Sequence, residues 1–308
     1  MFASLGAAAA AALAAAQILP VVVPLGKPQQ IERPRAPIEV SGPLWASTCK
    51  DWDDWNKPAP PVRIFGNTYL VGTCGISSIL ITDPAGDILI DGGTEKAAPL
   101  IADNIRRLGF AVTDVKYLLH SHEHFDHVGG LAELQRLTGA QLVASQAAAP
   151  VLNSGNASAD DPQSGMNPPF PAAHVDRIIR DGEQVRIGNT VLTAVATPGH
   201  TPGALTWRWG SCQGGVCRQI VYADSLSPVS RDDYKFSDHP AYLAAYRASI
   251  AKIAALDCDI LLTPHPSASK MPERLALGKP LLDTNGCRDY AAQLTKQLDE
   301  RLAKEAAK

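Results

Sequence analysis

The stretch that decides the fold is Leu118-Leu119-His120-Ser121-His122-Glu123-His124-Phe125-Asp126-His127-Val128-Gly129-Gly130, where a hydrophobic strand ends in a cluster of metal-binding side chains. Imidazole and carboxylate groups both suit zinc, so such a cluster can saturate one ion or share two. Because one residue separates them, His122 and His124 can converge on one metal from a loop, while Asp126 and His127 turn toward another as a helix begins. Each metal then needs further ligands from elsewhere in the chain.

Two later histidines have a matching setting, between turn residues just after an apolar strand. His200 lies in Thr197-Pro198-Gly199-His200-Thr201-Pro202-Gly203, and His265 lies in Leu261-Leu262-Thr263-Pro264-His265-Pro266. Proline and glycine fix such loops and let the backbone approach an ion closely. The candidate metal ligands are therefore His122, His124, Asp126, His127, His200 and His265.

The other three of the eight histidines are His120, His174 and His239, which we expect to be hydrogen-bonding or surface residues. His120 is the one further residue that could support the metal site from a strand end. The pattern is not the H-E-x-x-H motif of zinc proteases, because Asp126 stands three positions after Glu123. A lone loop histidine is usually an ordinary polar residue, whereas H-x-H-x-D-H after a strand is a specific signal for a metal site.

Composition excludes several other classes of protein. The 308 residues are 45% hydrophobic, which is ample for a sizeable core. The 28 basic and 31 acidic residues give a net charge of -3, which offers no electrostatic footprint for a polyanion. No apolar run is long enough for a membrane-spanning helix. We therefore expect a monomer that has neither nucleic acid nor a membrane as a partner.

The N-terminal stretch, residues 1–24, is alanine-rich and apolar and fits the hydrophobic region of a secretory signal peptide. No Lys or Arg precedes the apolar run, which departs from the usual signal pattern. The alternative is a buried alanine-rich helix of the mature domain, and Pro20 and Pro24 count against it because proline interrupts a helix. We expect a signal peptide and a periplasmic mature protein.

The six cysteines also favour export, because an even number in a secreted chain is most simply explained by three disulfides. The pairing is a guess at this stage. Cys212 and Cys217 flank Gln-Gly-Gly-Val, a tip that can fold back on itself and allow a local bridge. The remaining four are then assigned as Cys49–Cys74 and Cys258–Cys287. A cysteine zinc site is the alternative, but the chain has no C-x-x-C pair.

The chain divides into a lead-in and one domain. Residues 25–60 are rich in proline, tryptophan and charge without a sustained period, which predicts an extended segment. From residue 61 to 308, short β-rich runs bounded by turns alternate with helical patterns in both halves. This order predicts an α+β fold in which two mixed sheets pack together with helices outside, a four-layer αβ/βα sandwich.

The histidine cluster and the two proline-glycine loops resemble the metallo-β-lactamase superfamily, from roughly Trp55 to the C-terminus. More narrowly, the chain is similar to class B β-lactamases of the third subclass. The sequences that carry this narrower resemblance are Asn67–Thr73, Ile90-Asp91-Gly92-Gly93, Thr197–Gly203, Tyr222-Ala223-Asp224-Ser225-Leu226-Ser227 and Leu261–Pro266.

The resemblance implies two zinc ions, the first held by His122, His124 and His200 and the second by Asp126, His127 and His265. It implies a hydroxide between the ions that attacks the β-lactam amide bond of penicillins, cephalosporins and carbapenems, which gives antibiotic resistance. Zinc makes such a nucleophile available near neutral pH. Asp126 is the expected catalytic residue, because it is placed to orient the hydroxide and accept its proton.

The resemblance leaves a second function open at Asp224, Ser225 and Ser227. In the third subclass the serines match positions that bind the substrate carboxylate or lie beside the second zinc, although turn hydroxyls that bond local backbone are an equal alternative. In other hydrolases of the fold, such as glyoxalase II, an aspartate near Asp224 bridges both metals. A lactonase or a thioesterase of the glyoxalase II kind is therefore the alternative to a β-lactamase.

Overall fold

The computed structural model describes Met1 and residues 41–51 and 53–307. Residues 2–24 of the predicted signal peptide and residues 25–40 of the predicted lead-in lie outside this part, and the boundaries predicted at residues 24 and 60 stay predictions. The described residues from 41 onward belong to one compact unit. Among the helices that the structure describes, none is both long and apolar enough to cross a membrane.

Twelve strands and eight α-helices make up the described chain. The strands are β1 Val62–Phe65, β2 Thr68–Leu70, β3 Ile79–Ile81, β4 Asp87–Ile90, β5 Val115–Leu119, β6 Gln141–Ser145, β7 Val175–Ile179, β8 Gln184–Ile187, β9 Thr190–Ala196, β10 Leu205–Gln213, β11 Val216–Tyr222 and β12 Ile260–Leu262. The helices are α1 Gly42–Thr48, α2 Ala97–Arg107, α3 Phe125–Val128, α4 Leu131–Thr138, α5 Ala148–Ser154, α6 Pro240–Ala254, α7 Met271–Ala276 and α8 Gly286–Ala306.

The strands form two mixed sheets. The first has seven strands in the order β1 to β7, antiparallel from β1 to β4 and parallel from β4 to β7. The second has five strands in the order β12-β11-β10-β9-β8, and only the β11–β12 pair is parallel. Both sheets arise because short β-branched runs alternate with turns or with amphipathic helices along the chain.

The strand pleat divides the apolar residues among three cores. On β4, Ile88 and Ile90 point into the core between the sheets, where they meet Trp207 of β10. Leu89, on the opposite face of the same strand, packs with Ile101 of α2. Successive strand side chains alternate between faces, so the first sheet needs cover on both.

Helices α6 and α8 pack on the outer face of the second sheet. Val221 of β11 and Leu261 of β12 pack with Ile250 of α6 and Leu294 of α8. The layers therefore run helix, sheet, sheet, helix, which confirms the predicted four-layer sandwich with two mixed sheets and helices outside.

The predicted extended lead-in is wrong at residues 42–48, where the chain forms helix α1. Ser41 caps this helix by accepting from the backbone N–H of Leu44, and Pro43 lies in its first turn, where it needs no hydrogen-bonded N–H. Trp45 is completely buried, so tertiary packing holds a helix too short to be stable alone.

Three disulfides tie the described chain together, and they join the pairs expected from the sequence. Cys49–Cys74 fastens the end of α1 to the loop after β2, Cys212–Cys217 closes the β10–β11 hairpin, and Cys258–Cys287 links the start of β12 to α8. No described cysteine is free.

Candidate metal centre

The candidate ligands meet because several strands end at the same place. β4 and β5 are parallel, so their carboxyl ends share one edge of the first sheet. In the second sheet β9 and β11 are both antiparallel to β10, and β12 is parallel to β11, so these three also end together. Asp91 follows β4, residues 122–127 follow β5, His200 follows β9, Asp224 follows β11 and His265 follows β12.

The first group of donors consists of His122, His124 and His200, which are buried and offer ligand atoms within 4.8 Å of one another. The ring centroids of His122 and His124 are 5.0 Å apart, and that of His200 lies 4.7 Å from His122 and 4.8 Å from His124. The three rings cross nearly at right angles, which is how separate imidazoles converge on one ion rather than stack.

The second group consists of Asp126, His127 and His265. Nε2 of His127 lies 3.0 Å from Oδ2 of Asp126 and 3.2 Å from Nε2 of His265, and the remaining Asp126–His265 distance is 3.4 Å. The two groups adjoin, because the ring centroids of His122 and His127 are 4.1 Å apart. The structure thus brings all six predicted ligands to one place.

A polar group behind each of three histidine rings selects which nitrogen faces the centre. Nδ1 of His122 is 2.8 Å from Oδ1 of Asp224, and Nδ1 of His200 donates to the carbonyl of Ser227 at 2.9 Å. His124 is held the other way round, with Nε2 2.9 Å from Oδ2 of Asp161. Partners of this kind fix the tautomer and ring orientation of metal-binding histidines.

Burial keeps three of the histidines neutral. Burial and then the neighbouring histidines lower the pKa of His122 well below its ordinary value, and that of His200 to about 3. The same two causes, in the same order, lower the pKa of His265 to about 4. Neutral imidazole is the form that binds a metal, so these rings need no deprotonation at neutral pH.

His127 behaves oppositely because carboxylates surround it. Burial lowers its pKa, but the charge of Asp126 and contacts with Asp126 and Asp91 outweigh burial and raise the pKa to about 10. The second group of donors therefore favours a positive charge at this position. A divalent cation supplies that charge when it displaces the proton.

An unpaired buried nitrogen and the types of donor atom both indicate that this site binds metal ions. Nε2 of His122 is buried and has no hydrogen-bond partner among the described residues, although His122 offers ligand atoms within 4.8 Å of those of His124 and His200 and also of those of Asp126 and His127. An unpaired buried nitrogen is costly unless a ligand satisfies it. Nitrogen and carboxylate donors in two adjoining groups of three match the ligands of a catalytic metal site.

Asp91 supports the centre in a way that the sequence did not reveal. Its φ of 64° is in the left-handed region, which is rare for a residue other than glycine and often marks a functional site. Its carboxylate accepts from the backbone and the hydroxyl of Ser121 at 2.6 and 2.7 Å and from the hydroxyl of Tyr222 at 2.7 Å. Asp91 thereby locks the segment that precedes the ligands, and nothing in its local pattern signals this.

Glu123 is a second supporting residue that sequence reasoning passed over. It is 3% exposed, and its carboxylate accepts from the hydroxyl of Thr201 at 2.6 Å and the backbone N–H of Gly203 at 2.8 Å. Burial raises its pKa above the ordinary value. The side chain between His122 and His124 thus fastens the loop that carries His200.

The residues after β11 are held by tyrosines. Tyr290 donates to the carbonyl of Ser225 at 2.7 Å, and Tyr246 donates to that of Leu226, whose φ is 41°. The hydroxyl of Ser225 is buried without a partner among the described residues. The hydroxyl of Ser227, which is half-buried, lies 3.1 Å from Nδ1 of His200. The tyrosines thus hold the turn that carries both serines, and Ser227 lies beside the centre.

Comparisons with known proteins agree with this geometry. Among solved structures, the MIM-2 metallo-beta-lactamase is 56% identical with a TM-score of 0.83, covering 86% of this chain and 98% of that one. MEM-A1, a subclass B3 metallo-beta-lactamase from a soil metagenome library, is 47% identical with a TM-score of 0.80, covering 82% and 99%. Hydroxyacylglutathione hydrolase of Nitrobacter hamburgensis is 30% identical over 140 residues, which are 46% of this chain.

The likeness to the curated relative is partial, because the chain spans only 44% of that protein's length. The sequence profile of the metallo-beta-lactamase superfamily, by contrast, matches residues 71–265, which is more than half of the chain and extends from the residue after β2 to the last candidate ligand. From its sequence, its four-layer fold and its histidine-rich centre, the chain belongs to the metallo-beta-lactamase superfamily.

Proposed function

We propose that this metallo-hydrolase opens the β-lactam ring of penicillins, cephalosporins and carbapenems and so gives antibiotic resistance. The observation that carries the proposal is the likeness to MIM-2, which extends over 98% of that lactamase at 56% identity. The described geometry supports it, since the six donors of a hydrolytic metal centre meet at one edge of the sandwich.

We propose two zinc ions as the metals, one held by His122, His124 and His200 and the other by Asp126, His127 and His265. Three protein ligands for each ion leave positions open for water and substrate, whereas structural zinc sites are closed by four. When bound, the ions polarise the substrate carbonyl and make water nucleophilic near neutral pH.

Asp126 is the proposed catalytic residue. Burial raises the pKa of this carboxyl, but the charge of His127 and its hydrogen bond to Asp126 outweigh burial and hold the pKa below its usual range, so the group stays ionised. The ionised carboxylate can accept a hydrogen bond from water and so orient it, and we assign it the transfer of the water proton. The water oxygen bonds to the carbonyl carbon, the carbon–nitrogen bond of the ring breaks, and a proton passes to the ring nitrogen.

Ser225 and Ser227 are the proposed substrate-binding residues. A buried hydroxyl without a partner, as in Ser225, gains a hydrogen bond when a carboxylate arrives. The hydroxyl of Ser227 adjoins His200 and can rotate between that ring and a substrate.

The proposed location is the periplasm, reached by a signal peptide, and the proposed state is a monomer. Three disulfides support an oxidising compartment. The proposed substrate is a small molecule, and the net charge of -3 supports neither nucleic acid nor an acidic membrane as a partner.

The alternative is a thioesterase, because curated relatives include hydroxyacylglutathione hydrolases. That alternative predicts an aspartate bridging two metals at Asp224. In the structure, Oδ1 of Asp224 contacts Nδ1 of His122, the opposite side of the ring from the unpaired Nε2. This contact favours the β-lactamase.

The test is turnover by the purified protein loaded with zinc. A carbapenem, a penicillin, a hydroxyacylglutathione thioester and an acyl-homoserine lactone are supplied in parallel, and each bond cleavage is followed by absorbance with and without a chelator. We expect fast β-lactam opening that the chelator abolishes and added zinc restores. Asp126→Asn should be nearly inactive toward β-lactams. Asp232→Asn, at an exposed site, should open them at the rate of the parent. Cleavage of only the thioester or the lactone would refute the proposal.

A further inference from the structure

The loop between α5 and β7, residues 155–174, has an inner face that enters the metal centre. Its Gly, Ser, Asn and Pro content predicts only an irregular segment. Asp160 and Met166 are indeed exposed, but Asp161 is 2% exposed and Gln163 is 8% exposed. Two polar side chains in the middle of an irregular loop are thus nearly excluded from water, and each needs a partner.

Asp161 finds its partner in a candidate metal ligand. Oδ2 of Asp161 lies 2.9 Å from Nε2 of His124, and the two side chains are 3% and 5% exposed. A carboxylate can only accept a hydrogen bond, so Nε2 of His124 carries the proton and Nδ1 keeps the lone pair that a metal needs. Asp161 therefore decides which nitrogen of His124 is available.

The same aspartate organises its own loop. Its Oδ1 accepts from the backbone N–H of Gln163 at 2.8 Å, which places the Gln163 amide 3.4 Å from Nε2 of His200. Arg231, from the segment after β11, donates its backbone N–H to the carbonyl of Pro162 at 2.9 Å. The Asp161 carboxylate thus joins a candidate metal ligand to its own loop, and the backbone of that loop contacts the second half of the chain.

We propose that Asp161 is a positioning residue for the first metal group and that it couples metal binding there to the order of residues 158–166. A metal on His124 requires the Nε2-protonated ring that Asp161 stabilises, so the loop conformation that presents Asp161 raises metal affinity. Coupling of this kind is reciprocal, and the bound metal must stabilise that loop conformation to the same extent. The inference rests on the metal site of the proposed function and not on its substrate.

The first test measures zinc affinity by competition with a chromophoric chelator. In Asp161→Ala, affinity of the first group should fall by roughly 10- to 100-fold, the usual cost of losing a partner behind a metal ligand. In Asp161→Asn, zinc affinity should fall less, because the amide oxygen of the new side chain can still accept from His124. Asp160→Asn, with the same charge change one residue away on an exposed side chain, should bind like the parent. Titration with cobalt(II), followed by its absorption spectrum, should show the same loss of affinity at the first group and not at the second.

The second test is hydrogen exchange of the peptide 158–166 in the presence and absence of zinc. Zinc should slow exchange in the parent and in Asp160→Asn, and this effect should be lost in Asp161→Ala and reduced in Asp161→Asn. Circular dichroism of the metal-free variants checks that they are folded. Parent-like zinc affinity in folded Asp161→Ala, or zinc-dependent protection that survives in it, would overturn the inference. Neither readout uses a β-lactam, so failure of the proposed substrate would be seen separately.

Discussion

Oδ1 of Asp224 lies 2.8 Å from Nδ1 of His122, and both side chains are almost completely buried. A carboxylate in this position orients the imidazole of a metal-binding histidine and strengthens it as a ligand. Asp224 also accepts from the backbone N–H of Leu226 at 3.3 Å, so the turn with the two serines depends on the same side chain. The orientation of His122 and the turn that carries the two serines are thereby linked at one residue.

Asp224→Asn should weaken metal binding without removing a ligand. The amide oxygen can still accept from Nδ1 of His122, so affinity should fall by less than the roughly 10- to 100-fold cost of losing a partner behind a metal ligand, while the protein still takes up its full metal complement at saturating zinc. Competition with a chelator and metal analysis check both parts, with Asp232→Asn as the exposed control. Loss of a whole metal equivalent at saturation would instead mean that Asp224 is a direct ligand.

His265→Ala should remove a direct ligand from the second group of donors. Its Nε2 lies 3.4 Å from Asp126, and without it that group keeps only two donors. Under limiting zinc the variant should retain one ion, and turnover should fall by at least about 10-fold. Metal analysis after dialysis measures the first effect. His174→Ala, whose side chain is 78% exposed, should bind metal like the parent, and equal metal content in the two variants would contradict the assignment.

The disulfides should stabilise the domain in the order of the loops that they close. Cys258 and Cys287 are 29 residues apart, and loop-closure entropy predicts about 3–4 kcal/mol for that bridge. Cys212 and Cys217 are 5 residues apart, and their bridge should contribute about 2 kcal/mol. Denaturant unfolding of the two paired Cys→Ser variants under non-reducing conditions tests the order, and a larger loss from the hairpin pair would reject loop closure as the cause.

Asp87→Asn should stabilise the protein above neutral pH. Burial, and then the charges of Asp114 and Asp83, raise the pKa of Asp87 from 3.8 to about 7, against a hydrogen bond from the backbone of Asp83. Because the folded state holds this proton more tightly than the unfolded state, the free energy of unfolding falls as pH rises from about 4 to about 7. The asparagine of the variant has no proton to lose over this range. The free energy of unfolding of the variant should therefore exceed that of the parent by an amount that grows over this range to a few kcal/mol, at ~1.4 kcal/mol per unit of pKa shift.

Unfolding of metal-free Asp87→Asn at pH 5 and pH 8 gives the measurement. Asp103→Asn, which is exposed on α2, is the matched control and should show no such growth with pH. An advantage of equal size at both pH values would mean that the carboxyl is not protonated in the folded state.

The layers and the candidate ligands could both be predicted from the sequence, because both have local signals. A short continuous apolar run such as Ile88–Ile90 is typical of a strand buried on both faces, and H-x-H-x-D-H after a strand indicates a metal site. The ligands His200 and His265 could be found because proline and glycine mark their loops. The short helix at residues 42–48 was missed because it depends on the burial of Trp45 rather than on a helical period.

Which carboxylates contact and support the candidate ligands depends on tertiary packing. Asp91, Asp161 and Asp224 come from three loops distant in sequence, and each has the composition of an ordinary turn. Asp91 and Asp224 reach the centre because the parallel register ends β4 with β5 and β11 with β12, and packing excludes water from all three carboxylates. Burial and partner choice are properties of the packed sheets, and no local pattern encodes them.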